Sequence, residues 1–98
     1  MSVRVMVFGR LKRIEDRETF EALIARVSQH IKGTKGYIRD ELLRNLDDPA
    51  AYIMMSEWSS SADFLHWEQA PVHKQNTHPL RTYWRAETVF KMYDVLSH

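Results

Sequence analysis

The residues able to do chemistry are few, and most fall in one stretch. There is no cysteine. That excludes disulfides, thiolate metal sites, iron–sulfur clusters and cysteine nucleophiles. The five histidines are His30, His66, His73, His78 and His98. No H-x3-H pair and no H-E-x-x-H occurs among them. His73 and His78 lie roughly 140° apart around a helix, a poor arrangement for one metal ion. Gly9, Gly33 and Gly36 are scattered, so no glycine-rich phosphate loop exists, and there is no G-x-S-x-G elbow. What remains is the run from Glu57 to His73, EWSSSADFLHWEQAPVH. It gathers aromatics, carboxylates and two imidazoles. Imidazole has the natural pKa of a general base near neutrality. An indole N–H is a fixed donor.

The elements that must position this run follow from periodicity. Residues 2–12 alternate at period two, with Val3, Val5, Val7, Gly9 and Leu11 opposite Arg4, Met6, Phe8 and Arg10. This predicts a strand. Phe20, Leu23, Ile24, Val27 and Ile31 then form one apolar stripe, predicting a helix over 15–32. Glu15, Asp16 and Glu18 suit its positive end, and Gly33 its C-terminal cap. Residues 36–46 and 51–58 predict a hairpin turning at Asp47-Asp48-Pro49. Ser59–Ser61 offer N-caps for a helix over about 62–70, which Pro71 ends. A further helical stretch over 72–83 is interrupted by Pro79, and 86–96 predicts a last strand. The order β-α-β-β-α-β predicts an α+β, ferredoxin-like plan with a four-stranded antiparallel sheet.

The 98 residues read as one domain, 1–98, with 44% hydrophobic and 28% charged residues. The longest apolar stretch near the N-terminus, Val5–Phe8, is far short of a signal peptide or membrane span. A cytoplasmic protein without a membrane partner is expected. Fourteen basic and 13 acidic residues interleave to a net charge of +1. No one-signed stripe for nucleic acid appears. RNA-recognition domains share the element order but carry a basic-Gly-aromatic run on the third strand. Here that strand reads AYIMMSEW.

The strands are apolar on both faces. In the third, Tyr52, Met54 and Trp58 oppose Ile53 and Met55; in the last, Phe90 and Met92 oppose Val89, Tyr93 and Val95. Two helices cover one face only, and a half-wet sheet would alternate with polar residues. A second copy of the same sheet is the expected partner, giving a homodimer. The plainer alternative is an open face that binds a flat ligand.

A strand ending Glu57-Trp58, a serine-rich cap, then Phe64-x-x-Trp67, then Ala70-Pro71-x-His73 resembles the antibiotic biosynthesis monooxygenase family. The likeness covers nearly the whole chain, including Gly36-Tyr37 before the second strand. It implies a dimeric α/β barrel. Some members oxidise polycyclic phenols and anthrones to quinones with O2, using neither metal nor flavin. Others degrade haem, and others have no known reaction.

By this resemblance the cofactor-independent branch places Trp67, His73 and Arg81 or Arg85 as catalytic groups. Asp63 stands where an amide is expected, one turn before Trp67. Asp63, Phe64, Tyr52, Met54 and Phe8 are the implied substrate contacts. The haem-degrading branch expects an Asn on the first strand and a ligating His downstream. This sequence has Gly9 or Phe8 at the first position, and Thr77, one residue before His78, at the second. The expectation is a small cofactor-independent monooxygenase acting on a phenolic or polycyclic aromatic molecule with O2. Haem is the alternative cofactor, and a non-catalytic barrel binding a hydrophobic molecule is the alternative function. Each site residue also has an ordinary reading. Trp67 can be core, His73 a surface residue, and Asp63 a first-turn helix charge. Arg81 and Arg85 can be solvated or bridge a dimer, and Tyr52, Met54 and Phe8 can be core or barrel lining.

Overall fold

The computed structural model describes residues 2–84 and 89–97. Its elements are β1 (Val3–Arg10), α1 (Arg17–Ile31), β2 (Tyr37–Arg44), β3 (Ala51–Trp58), α2 (Ser61–Gln69), α3 (Pro71–Thr77) and β4 (Val89–Asp94). Short 3-10 turns at Ile14–Asp16 and His78–Tyr83 complete them. The sheet order is β2-β3-β1-β4 with every neighbour antiparallel. This is the ferredoxin-like plan, and the sheet is open. The helical stretch expected over 72–83 resolves into α3 and a 3-10 turn, because Pro79 cannot continue the α-helical bonding. Of the last strand expected over 86–96, the strand ends at Asp94, two residues early, and residues 86–88 lie outside the described residues.

Register sets which side chains face the helices. Val3, Val5 and Val7 pair with Trp58, Ser56 and Met54, so these share one face. Phe90 and Met92 join it from β4. In β2 the register shifts between Tyr37 and Arg39, leaving Ile38 as the extra residue of a β-bulge. Simple alternation would put Tyr37 and Asp40 on opposite faces. The bulge puts both on the helix side, where Tyr37 opposes Trp58 and Asp40 opposes Ser56.

Two apolar clusters hold the helices down. One joins Leu11, Phe20, Ile24, Tyr52, Leu80 and Trp84. The other joins Val3, Val5, Ile31, Trp58 and Phe64. α1 spans both, contributing Phe20 and Ile24 to the first and Ile31 to the second. Between them it presents Val27 and the small, polar Ser28, and β3 presents Ser56. The clusters therefore do not merge, and a gap is left over the middle of the sheet. Two glycines permit close approaches around it. A Cβ on Gly9 would fall 2.5 Å from the Trp84 ring. Gly36 has φ 84° and lies directly beneath Asp63.

Candidate functional site

The gap is a cavity of about 270 Å³. Val7, Met54, Ser56 and Phe90 form its floor, Ile24, Ser28 and Asp40 one wall, and Phe64, Trp67, His73 and Arg81 the other. Thr77, Leu80 and Trp84 also line it.

Local sequence builds the second wall. The Ser60 side chain accepts from the Asp63 N–H at 3.2 Å and starts α2. Phe64 and Trp67, one turn apart, face the sheet together. Ala70 is extended (φ −69°, ψ 141°), as the residue before a proline prefers, so α2 ends there. Pro71 opens α3 at a position where its missing N–H costs nothing. The chain turns back, and the His73 ring lies 3.7 Å from the Trp67 ring, centroid to centroid. Trp67 in turn packs at 5.4 Å on Trp58, whose Nε1–H donates to Ser56 Oγ at 2.9 Å. Tyr37 meets the other edge of Trp58 at 5.9 Å. One aromatic row thus runs from Tyr37 to His73.

His73 Nδ1 is buried without a hydrogen-bond partner. Burial, helped by the charge of Lys74, pushes the imidazole down from its ordinary value to about 4. His73 is therefore neutral at neutral pH, with one ring nitrogen able to take a proton. The Thr77 hydroxyl donates to the His73 carbonyl at 2.9 Å and ties the turn together. On the opposite wall, Tyr37 Oη and Ser28 Oγ donate to Asp40 Oδ1 at 2.7 and 2.9 Å. Burial and the hydrogen bond to Asp40 push the Tyr37 phenol up to about 12, so it stays a donor.

The expected site residues separate into two groups. Trp67, His73, Arg81, Phe64 and Met54 line one cavity. Asp63, Tyr52 and Phe8 do not. Asp63 packs on Gly36 in the first turn of α2. Tyr52 is buried against Phe20, and its hydroxyl donates to Glu21 Oε2 at 2.5 Å. Phe8 pairs with Ile53 on the sheet face away from the helices, because β1 alternates strictly. Arg85 lies outside the described residues. Ser28, Asp40 and Thr77 line the cavity without having been expected there. Only a bulge turns Asp40 inward, and no spacing rule signals a bulge.

The haem alternative does not fit the side chains present. His78 is exposed and does not line the cavity. Thr77 occupies the proximal position, and the first-strand position is filled by Gly9 under the Trp84 ring. Among the described residues no group of three or more His, Cys, Asp or Glu could hold a metal ion. No helix among them is long and apolar enough to cross a membrane.

The family model for antibiotic biosynthesis monooxygenases matches residues 3–77, so the chain belongs to that family. Protein SchA of Streptomyces halstedii is 31% identical over 83 residues, covering 85% of this chain and 22% of SchA. A 42.8 kDa protein of the whiE locus of Streptomyces coelicolor is 32% identical over 57 residues, covering 58% of this chain and 14% of that protein. The chain thus spans about a fifth or less of the length of these curated relatives. Among solved structures, a variant of SnoaB, a cofactor-independent oxygenase from Streptomyces nogalater, superposes with a TM-score of 0.86 at 18% identity. That match covers 99% of this chain and 95% of SnoaB, and at this identity it shows the shared fold.

Proposed function

We propose that the chain is a cofactor-independent monooxygenase. It oxidises a phenolic or polycyclic aromatic molecule with O2 in the cavity between α2, α3 and the sheet. The observation that carries the reading is the packing of His73 on Trp67, with Nδ1 buried and free of partners. The family match and the likeness to SnoaB support it.

The chemistry asks three things of the protein: a base, donors for a developing oxyanion, and a dry aromatic pocket. His73 takes a proton from the substrate, leaving an electron-rich phenolate or enolate. Its low basicity, set by burial, is offset once that anion forms beside it, because an opposite charge favours imidazolium. Arg81 and the Trp67 N–H are the donors for the anion's oxygen. One electron passes from the anion to O2, giving a substrate radical and superoxide. These combine to a peroxide. Loss of water leaves one oxygen atom of O2 as the quinone carbonyl and the other as water. An anthrone and O2 thereby give an anthraquinone and water.

The reading includes a homodimer. Met6, Phe8 and Ile53 place an apolar band on the face without helices, where Met55 itself is buried. Tyr93 and Val89 extend it, 48% and 58% exposed. Exposed apolar patches of this kind mark interaction surfaces, and a twofold copy would cover this one. Oxygen uptake by the purified protein with anthrones and naphthols tests the activity. Uptake with quinone formation is expected, and no uptake with any of them would leave a non-catalytic binding barrel.

A further inference from the structure

The cavity has a second polar pole that the oxidation chemistry does not use. We propose that Asp40 is the specificity-determining acceptor for a hydroxyl on the end of the substrate remote from His73. This rests on the aromatic-site reading and deepens it: the favoured substrate is a fused-ring phenol with a second hydroxyl across the ring system from the reacting carbon.

Three observations carry it. First, the bulge at Ile38 spends one residue of β2 to turn Asp40 toward the helices, on the same face as Tyr37. Bulges cluster beside active sites because they re-aim a side chain. Second, Asp40 is fixed in place. Tyr37 and Ser28, from β2 and α1, both donate to Oδ1. Among the described residues no donor engages Oδ2, and the side chain lines the cavity. A carboxylate held by one oxygen leaves the other to accept from a ligand. Third, the poles are on opposite walls, Asp40 on the α1–β2 side and His73 on the α2–α3 side. Val7, Met54 and Phe90 give the cavity an apolar floor. At about 270 Å³ the cavity is just under the roughly 300 Å³ at which ligand sites commonly begin, which suits a small fused-ring molecule.

A carboxylate at this pole discriminates by sign. It accepts from a hydroxyl and repels a carbonyl or a second anion. At the His73 pole Arg81 and the Trp67 N–H donate, and Glu68 of α2 also lines the cavity; among the lining carboxylates Asp40 is the one held through a single oxygen by two side-chain donors.

The test is anaerobic binding, followed by tryptophan fluorescence, of a naphthalene diol with hydroxyls at opposite ends and of the mono-ol lacking the distal one. A hydrogen bond to a charged acceptor predicts that the wild type binds the diol about ten- to hundredfold tighter. Asp40→Asn keeps an oxygen for Tyr37 and Ser28 but replaces Oδ2 by an amide donor. It should retain the fold and the affinity for the mono-ol, and the preference for the diol should collapse toward unity. Tyr37→Phe, which leaves the carboxylate but frees it to rotate, should give an intermediate preference. Equal wild-type affinity for both naphthols, or an Asp40→Asn protein that keeps the preference, would overturn the inference while leaving the aromatic site intact. Failure of the wild type to bind either naphthol would overturn the aromatic-site reading, and this inference with it.

Discussion

The His73 imidazole and the Trp67 indole are in direct contact, 3.7 Å between ring centroids and inclined by 50°. Five residues of chain lie between them, and Pro71 is the reason they meet. It ends α2 and starts α3 at an angle that lays the second helix back over the first. An imidazole and an indole carried on two short helices thereby share one wall of a cavity.

If the Trp67 N–H donates to the developing oxyanion, Trp67→Phe removes the donor and keeps most of the apolar volume. Turnover should fall about 10²-fold, as for the loss of one oxyanion donor, with a small change in Tm. Steady-state kinetics alongside thermal melts separate this from a purely structural role. In that case Tm would drop and turnover per folded molecule would hold.

His73 sets a pH signature. Its folded pKa, about 4, lies below the ordinary 6.5. Above pH 6.5 the ring is neutral in both folded and unfolded chains. Between 6.5 and about 4 the unfolded chain binds a proton that the folded protein does not, so stability falls as pH falls. Denaturant melts across this window should show a steeper acid loss for the wild type than for His73→Gln. The acid limb of kcat/KM should also lie well below 6.5. A limb near 6.5 would mean that the essential base is not this buried ring.

Much of this arrangement was legible from the residues. Alternation in β1 and the apolar stripe of α1 specify their own faces, and the F-x-x-W and Pro-x-His spacing specifies the wall that holds Trp67 and His73. The opposite wall was not legible. Asp40 faces the cavity only because Ile38 is a bulge, and a bulge is a property of pairing with β3, not of the β2 sequence. The resemblance implies Tyr52 as a substrate contact, and its ordinary reading is core. Phe20 and Glu21 of α1 claim it, which is a tertiary contact.

Asp63 stands where the resemblance implies an amide, but its carboxylate packs on Gly36 outside the cavity. Asp63→Asn should therefore leave turnover within about twofold, as for a substitution away from the reacting atoms. A large gain or loss in kcat would place the side chain in the site.

Gly9 lies beneath the Trp84 ring with no room for a methyl group. Gly9→Ala should cost about 1–3 kcal/mol through overpacking, read as a lower denaturant midpoint with an unchanged slope. Trp84 also lines the cavity, so ligand affinity should fall with it. A Gly9→Ala protein as stable as the wild type would contradict this packing.

The apolar outer face predicts a dimer. Light scattering at micromolar concentration should give twice the chain mass, and Tm should rise with protein concentration. Phe8→Asp, on that face, should shift the protein toward monomer. A stable wild-type monomer would remove the second copy from the account.

The central claim is tested most directly by following oxygen uptake and quinone formation together. Purified protein, treated with chelator and free of flavin, is mixed with an anthrone under air. The account predicts one O2 consumed per quinone formed, a rate unchanged by the chelator, and a rate cut about 10²-fold by Trp67→Phe. Absence of uptake by the wild type, or uptake that Trp67→Phe leaves untouched, would contradict it.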